Sequence, residues 1–156
     1  MKRIAIYHSP VGDMQLEYEN GAVTALKTVK AGVQPEGAPD ALAETVFRQL
    51  DEYFAGTRTV FDFPCAPQGT PFQQKVWAAL CEIPYGETRS YKQIAEAVGK
   101  PKACRAVGMA NNRNPIIIVI PCHRVIGANG ALTGYGGGLE MKRALLELEG
   151  TAYMEK

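Results

Sequence analysis

The hydrophobic pattern changes at residues 64–71, "PCAPQGTP", and this change constrains the fold more than any other feature of the sequence. In residues 3–29, apolar and polar residues mostly alternate, as they do in strands. Behind the segment, apolar residues recur every three or four positions, as they do in helices. Clustered proline and glycine interrupt both kinds of element. The sequence therefore predicts two domains, 1–68 and 69–156.

The first domain is predicted to be a small antiparallel sheet with one helix. Three short runs, "RIAIYHS", "MQLEYEN" and "AVTALKTV", are typical of strands, and Asn20-Gly21 between the last two favours a tight hairpin. A helix is predicted over residues 41–55, with Asp40 as its N-terminal cap and Gly56 just past its end. The segment "TRTVFDF" could form a further strand.

The second domain is predicted to be mostly helical. Thr70 and Ser90 each precede a glutamine by three residues, which is the spacing of a capping box. These caps predict helices that begin at residues 71 and 91. A last helix is predicted over residues 139–148.

A short helix over residues 91–98 and a second over 102–111 are joined by a three-residue turn that contains glycine. The second helix carries small residues that permit close approach of a neighbour: Ala103, Ala106, Gly108 and Ala110. This arrangement predicts a helix-turn-helix, although short helix pairs also occur in plain α domains. The predicted fold class is α/β (α+β), with an antiparallel-sheet domain followed by a mostly helical domain that contains a helix-turn-helix.

The composition indicates a globular protein of the cytoplasm. Of the 156 residues 46% are apolar, yet no stretch reaches the roughly 20 apolar residues of a membrane span, and the charged start "MKRIAIYHSP" argues against export. Four cysteines have spacings that match neither a metal site nor a disulfide framework, so we expect reduced thiols. We expect such cysteines to be buried and to act as small hydrophobic residues, most clearly Cys81 and less so Cys65 and Cys104.

The net charge of +1 conceals an asymmetry along the chain. Residues 1–70 carry 6 basic and 9 acidic side chains, whereas residues 71–156 carry 11 and 7. Between Thr88 and Val125 there are seven basic residues and a single acidic one, Glu96. Such a local concentration attracts a phosphate backbone, and the alternative is a solvated basic face without a partner.

The segment "NPIIIVIPCHRVIG", residues 114–127, combines a strand-like apolar run with reactive side chains. Pro121 ends the run and is followed by Cys122, His123 and Arg124. Neighbouring side chains of a strand point to opposite faces, but a turn after the proline would let them converge, and the Asn114 amide could brace that turn. A thiol needs a base or a cation to become a nucleophile. The alternative is a buried cysteine at a strand end with polar neighbours.

Two further features lie near the carboxyl end. Glu149 is predicted at the end of the last helix, where a carboxylate is unfavourable to the helix dipole, so it could serve instead to orient a histidine. The glycine-rich "GYGGG", residues 134–138, lacks the Lys-Ser/Thr of a P-loop. It is interpreted as backbone that lies close to another group, and a structural loop is the alternative.

Taken together, "NPIIIVIPCHRVIG", "GETRSYKQIAEAVGKPKACRAVG" and "GALTGYGGGLEMKRALLELEG" resemble the methylated-DNA-protein cysteine methyltransferases, also called O6-alkylguanine-DNA alkyltransferases. The resemblance runs from about Gly69 to Gly150. The first 68 residues agree more loosely, through "SPVGDMQLEYENGAV" and "QLDEYFAGTRTVFDFP". The resemblance implies repair of DNA by irreversible, stoichiometric transfer of an alkyl group from O6-alkylguanine to the protein, after the base is flipped from the minor groove.

The resemblance implies a reactive centre in which Cys122 accepts the alkyl group. His123, through a water and with Glu149 behind it, would draw off the thiol proton, and Asn114 would brace the turn. Tyr91 would crowd the 3′ phosphate and protonate the leaving guanine at N3. Arg124 is expected to pin the turn or the domain interface rather than to activate the thiol.

The resemblance also implies contacts to DNA and to the flipped base. Arg105 would enter the base stack in place of the guanine. The remaining DNA contacts are assigned to residues beside it and at the end of its helix: Ala103, Lys102 and Arg113. The base pocket is assigned to Tyr135, Gly136 and Met109, together with the carbonyls of Cys122 and Val125.

By the same resemblance the protein would act as a monomer on double-stranded DNA, once per molecule, without an organic cofactor, an obligate protein partner or a membrane. It would act in the cytoplasm, or in the nucleus if the source is eukaryotic. Animal members of the family hold zinc in their N-terminal half; His8 and Cys65 stand alone here, so no metal is predicted. The rival hypotheses are a non-catalytic lesion-binding module, which would lack Cys122, and a cysteine hydrolase using Cys122 and His123.

Overall fold

A computed structural model describes residues 2–29, 39–130, 135 and 138–151. The chain divides into two compact units, Met1–Gln68 and Gly69–Lys156. The first contains an antiparallel sheet and a helix, and the second is mostly helical. The predicted mixed fold class is confirmed. No helix within the described ranges combines the length and the apolar character needed to cross a membrane.

The sheet of the first unit is a meander of β1 (Arg3–Ser9), β2 (Gly12–Glu19) and β3 (Ala22–Thr28) in that spatial order. Leu16 in the central strand pairs with Ala5 on one side and Leu26 on the other, and all three side chains are buried on one face. Asn20 (φ 52°) and Gly21 (φ 76°) form the predicted hairpin turn between the last two strands.

The helix of the first unit, α1, spans Ala41–Phe54. As predicted, the Asp40 carboxylate caps it by accepting hydrogen bonds from the backbone N–H groups of Leu42 and Ala43, and Gly56 follows its end in a left-handed conformation. The helix buries an apolar stripe at helical spacing: Ala43, Val46, Leu50 and Tyr53.

The further strand considered for "TRTVFDF" is absent from residues 57–63. Polar groups of this segment form hydrogen bonds with α1 instead. The Arg58 side chain donates to the Glu52 carboxylate, and the Asp62 backbone N–H donates to the Gln49 side chain. Pairing with the sheet comes only after this segment, where the Ala66 N–H donates to the Val23 carbonyl at 2.7 Å. Of its apolar residues only Phe63 is buried, whereas Phe61 is half-buried and Val60 is 68% exposed, so the segment forms neither a ladder nor a continuous buried run.

The second unit contains α2 (Pro71–Cys81), α3 (Tyr91–Ala97), α4 (Cys104–Asn112) and α5 (Leu139–Leu148). Both predicted capping boxes are present, because the Thr70 and Ser90 hydroxyls accept from backbone N–H groups while the glutamine three residues later accepts in return. The buried Trp77 ties α2 to α4 by donating its indole N–H to the Ala110 carbonyl at 2.9 Å.

The connection between α3 and α4 is longer than the predicted three-residue turn, because α4 begins at Cys104 rather than at residue 102. Pro101 does not open the helix. It occupies a β-turn, closed by a hydrogen bond from the Ala103 N–H to the Lys100 carbonyl at 2.9 Å. The fixed φ of proline suits a turn as well as the first turn of a helix, so sequence alone placed the boundary two residues early.

The strand-like apolar run of residues 116–120 does not form a strand. The segment folds back on itself: the Ile120 N–H donates to the Ile116 carbonyl at 3.0 Å, and Ile118 adopts a φ of 73°. Its isoleucines are nevertheless buried. A continuous apolar run reports burial on all sides, which a packed loop satisfies as well as a strand does.

The predicted burial of Cys81 is also wrong, since its side chain is exposed at the end of α2; Cys65 is exposed as well, and Cys104 is half-buried. A short parallel pairing joins β4 (Arg89–Ser90) to β5 (Val125–Ile126). This pairing anchors the chain directly after the segment that carries Cys122.

Candidate active site

Residues Cys122–Arg124 form a single 3-10 turn after Pro121, closed by a hydrogen bond from the Arg124 N–H to the Pro121 carbonyl at 3.0 Å. Both ends of the turn are held, since Pro121 restricts its entry and β5 continues from its exit. Cys122, His123 and Arg124 are all buried, with the His123 ring fully so. The three side chains named from the sequence thus lie in the interior of the second unit.

Asn114 connects the two ends of the apolar loop that precedes the turn. Its side-chain N–H donates to the Ile120 carbonyl at 2.7 Å, and its side-chain oxygen accepts from the Ile116 N–H at 3.0 Å. These two bonds replace the ladder that a strand would have supplied. Asn114 also lowers the pKa of the Cys122 thiol.

Glu149 lies behind His123, with its carboxylate oxygen Oε2 at 2.6 Å from the ring nitrogen Nε2. Arg124 binds the same carboxylate, from its Nε to Oε1 at 2.8 Å, and donates a further hydrogen bond to the Ile83 carbonyl at 2.7 Å. The guanidinium also lies 5.7 Å from the centre of the Tyr85 ring. The Glu149 carboxylate therefore has an arginine and a histidine as partners, and all three side chains are buried.

This arrangement assigns the proton on His123. A carboxylate only accepts hydrogen bonds, so Nε2 carries the hydrogen and donates it to Glu149, which leaves Nδ1 as the unprotonated acceptor. Nδ1 has no hydrogen-bond partner among the described residues. Burial lowers the pKa of His123 below its usual 6.5 although Glu149 acts in the opposite direction. The ring is therefore a neutral base at neutral pH.

Burial raises the pKa of the Cys122 thiol to about 11. Three side chains oppose this effect and lower the pKa of the thiol: Asn114 and Tyr135 through their polar groups, and Lys142 through its positive charge. The thiol is thus protonated at neutral pH, so it would have to lose its proton before it could act as a nucleophile.

Lys142 was missed by the sequence reasoning. It is fully buried on α5 and donates a 2.6 Å hydrogen bond to the Val125 carbonyl, while burial lowers its pKa to about 8. The signal was its spacing: Lys142 lies three and four residues before the buried Leu145 and Leu146, so it shares the apolar face of the helix. A lysine at such a position needs a partner inside the protein.

Asn111 was also missed. It lies near the end of α4, is 1% exposed, and its side-chain nitrogen Nδ2 donates to the carbonyl oxygen of Cys122 at 3.4 Å. Asn111 is polar, so it does not belong to an apolar pattern. The available signal was its position one turn beyond the buried Val107, which places it on the inner face of α4.

The residues assigned to DNA contacts lie on or beside α4 at the surface. Arg105, Lys102 and Arg113 are exposed, and Ala103 is half-buried at the start of the helix. Tyr91 opens α3, and its ring packs across from Gly108 on α4, where a Cβ would lie 3.7 Å from it.

The residues assigned to the base pocket are only partly brought together. Tyr135 and Val125 are buried near Cys122. Met109 is 58% exposed, one turn beyond Arg105 on α4, so it does not join the buried side chains around the thiol. Gly136 and most of "GYGGG" lie outside the described residues. Within the described ranges no cluster of three or more His, Cys, Asp or Glu could hold a metal ion.

Two family models match nearly the whole chain. Residues 2–67 match the model described as 6-O-methylguanine DNA methyltransferase, ribonuclease-like domain, and residues 71–151 match the DNA binding domain of the same description.

Individual relatives agree with the family models. A methylated-DNA–protein-cysteine methyltransferase of Methanosarcina acetivorans is 52% identical over 94% of this chain and 97% of its own length. The crystal structure of the Mycobacterium tuberculosis O6-methylguanine methyltransferase is similar, with a TM-score of 0.87 and 49% identity over 96% of this chain and 93% of that chain. The crystal structure of Mycobacterium tuberculosis OGT in complex with DNA matches with a TM-score of 0.84 and 50% identity, over 95% of this chain and 91% of that chain.

Proposed function

The chain belongs to the family of methylated-DNA–protein-cysteine methyltransferases, and we propose that it repairs DNA by moving an alkyl group from the O6 atom of guanine to the sulfur of Cys122. In this proposal the second unit, residues 69–156, both binds the DNA and accepts the alkyl group. The observation that carries the proposal is the buried turn, in which the Cys122 thiol is followed by the neutral His123. The Nε2 atom of this histidine is bound by the buried Glu149 carboxylate.

The chemistry follows from the protonation states. As Cys122 reacts, its proton passes through a water to Nδ1 of His123, and Glu149 stabilises the imidazolium that forms. The sulfur attacks the alkyl carbon, the bond from that carbon to O6 breaks, and a new carbon–sulfur bond forms. The electron pair leaves with guanine, which takes a proton at N3 from the Tyr91 hydroxyl. Solvent then restores the proton of Tyr91 and removes the one on His123.

Asn114, Tyr135 and Lys142 have a separate role in this scheme. Each favours the thiolate over the thiol, so together they oppose the desolvation that holds the Cys122 pKa at about 11. Burial of the nucleophile therefore keeps bulk solvent from the reacting sulfur, apart from the one water that relays its proton, while three fixed partners keep its charged form accessible.

The target base must leave the duplex to reach a buried sulfur, which costs a few kcal/mol. The exposed face of α4 supports this step, because Arg105 projects from it and can occupy the space that the base vacates. Lys102 and Arg113 would bind phosphates on either side, with the backbone at Ala103 beside them. Minor-groove binding suffices, since repair at any sequence needs no detailed base readout.

The product explains the stoichiometry. A thioether on Cys122 has no easy leaving group, so each molecule reacts once and the reaction needs no organic cofactor. We propose that the protein acts as a monomer on double-stranded DNA that contains O6-alkylguanine, and that it does so in the cytoplasm, where the DNA of bacteria and archaea is found.

Peptide mass spectrometry after incubation with a duplex that contains O6-methylguanine tests the proposal. We expect a mass increase of one methylene group on the peptide that carries Cys122, at a stoichiometry of one per molecule. Methylation of any other residue, or of none, contradicts it, and multiple turnovers would indicate a different reaction.

Two cysteine variants serve as matched controls. Cys122→Ser should take up no methyl group yet still bind the duplex. Cys81→Ser changes an exposed thiol in the same unit and should react as the wild type does.

A further inference from the structure

Met109 is a large apolar side chain on the surface of α4. It is 58% exposed, and among the described residues only Val60 and Leu139 are other large apolar side chains with this degree of exposure. Single exposed apolar residues are common in folded proteins, so exposure alone assigns no role. The surroundings of Met109 are what distinguish it from the other two.

Those surroundings are basic. Helix α4, Cys104–Asn112, contains no acidic residue, and Arg105 lies four residues before Met109 on the same face. Lys102 and Arg113 are exposed just beyond the two ends of the helix. A methionine among three cations suits a partner that carries negative charge around a less polar interior. Duplex DNA has this arrangement, with phosphates at the rim of each groove and base edges at its floor.

The distance from Arg105 places Met109 beside the lesion. Side chains four residues apart on a helix have Cβ atoms about 5–6 Å apart, and successive base pairs stack about 3.4 Å apart. With Arg105 in the space of the flipped base, Met109 therefore reaches the edge of the first or second neighbouring base pair. Apolar side chains that pack into the minor groove, methionine among them, recur in proteins that bind this groove.

The minor-groove edge that Met109 meets depends on the base pair. An A·T pair presents only acceptors there, whereas a G·C pair adds the 2-amino group of guanine, which is a donor. The thioether of methionine is at most a weak acceptor, so it removes water from this amino group without replacing the hydrogen bond. The amino group also projects from the floor of the groove and keeps the side chain from packing closely.

We propose that Met109 is a specificity-determining residue that packs into the minor groove beside the lesion and favours neighbouring base pairs without the 2-amino group of guanine. This inference rests on the proposed function and adds to it a preference for flanking sequence. Lesions in every sequence are still repaired, because the preference alters a rate and excludes no sequence.

The experiment compares two duplexes with O6-methylguanine at the same position. The two base pairs on each side are G·C in one duplex and hypoxanthine·C in the other, so the duplexes differ only in the 2-amino groups of the neighbouring purines. The rate of Cys122 methylation is measured with both, and the ratio of the two rates is the readout. Hypoxanthine·C pairs are weaker, but this affects all proteins alike and cancels when their ratios are compared.

Three variants are compared with the wild type. Met109→Ala removes the apolar side chain, and Met109→Gln keeps its length but supplies an amide oxygen that accepts a hydrogen bond from the amino group. Val60→Ala is the matched control, since it truncates an exposed apolar side chain in the first unit.

We expect the wild type and Val60→Ala to prefer the hypoxanthine duplex by the same ratio, and both Met109 variants to lower that ratio by about fivefold. An unchanged ratio in Met109→Ala overturns the inference, as does a full preference retained by Met109→Gln, because side-chain size rather than apolar character would then decide.

Reaction with free O6-benzylguanine separates this role from one in the base pocket. Met109→Ala should react with it at the wild-type rate, since the free base has no neighbouring base pairs. A slower reaction would assign Met109 to the pocket and overturn the inference. A wild type that is methylated by neither duplex would instead refute the proposed function, so the two failures are distinct.

Discussion

Two arginines of the second unit, Arg124 and Arg105, show how burial changes what the same side chain does. Arg124 is 6% exposed and binds the Glu149 carboxylate and the Ile83 carbonyl. Arg105 is exposed on α4, and its guanidinium has no hydrogen bond or ion pair with any described residue. The first guanidinium is committed to the interior of the protein, whereas the second remains available to an outside partner.

The difference shows that the position of an arginine decides how its charge could contribute to the proposed alkyl transfer. A buried arginine beside Cys122 binds the carboxylate of Glu149 rather than the thiol, and its charge helps to keep His123 neutral. An exposed arginine cannot influence the thiol in this way, and under the proposed function it enters the DNA duplex instead. Exchanging each arginine for methionine separates the two roles, because methionine retains much of the apolar stem and removes the charge.

The largest effect is expected for Arg124→Met. Removing one partner of a buried ion pair leaves the Glu149 carboxylate insufficiently compensated, and such changes lower the free energy of unfolding by about 3–5 kcal/mol. Urea denaturation at low temperature measures the change. Arg105→Met is the matched control and should shift the same free energy by no more than about 0.5 kcal/mol.

Arg124→Met should also slow the reaction with a lesion duplex and with free O6-benzylguanine by the same factor. The variant changes the surroundings of His123, which would take the thiol proton with either substrate. A variant of wild-type stability would show that the ion pair contributes nothing. A loss confined to the duplex would assign Arg124 to DNA binding instead.

The helix caps could be predicted from sequence because their chemistry is local. Thr70 and Ser90 need only a glutamine three residues ahead, and Asn20-Gly21 needs only its own backbone. A carboxylate at a helix C-terminus indicated that Glu149 could orient a histidine, and the family resemblance implied that this histidine is His123, behind which Glu149 lies.

The partners of other buried groups could not be predicted in this way. Arg124 meets a carboxylate 25 residues along the chain, and Lys142 meets a carbonyl 17 residues away. The run of residues 116–120 resembled a strand but forms a loop, because its apolar residues reveal burial and not backbone direction. What brings these groups together is tertiary packing, which neither periodicity nor adjacency encodes.

The second effect in size is expected for Arg105→Met on duplex repair. If this side chain fills the space of the flipped base, its loss should slow methyl transfer from a lesion duplex by about 30-fold, or about 2 kcal/mol. Reaction with free O6-benzylguanine should change by less than about twofold, since no base is extruded and no packing is lost. Rates with the two substrates measure this, and equal losses on both would contradict the role of Arg105.

The smallest effect is expected for Lys102→Gln, which sharpens the comparison by removing an exposed charge beside α4 that would contact only phosphate. Each phosphate contact contributes about 0.9 to the slope of log affinity against log salt, so the slope should become shallower by about that amount. Fluorescence anisotropy with an undamaged duplex at several salt concentrations gives the slope. Lys75→Gln, an exposed lysine on α2 outside the basic segment, is the matched control. Equal slopes for the two variants would place Lys102 outside the DNA interface, whereas a loss that depends on the base sequence would assign it to the groove instead of the backbone.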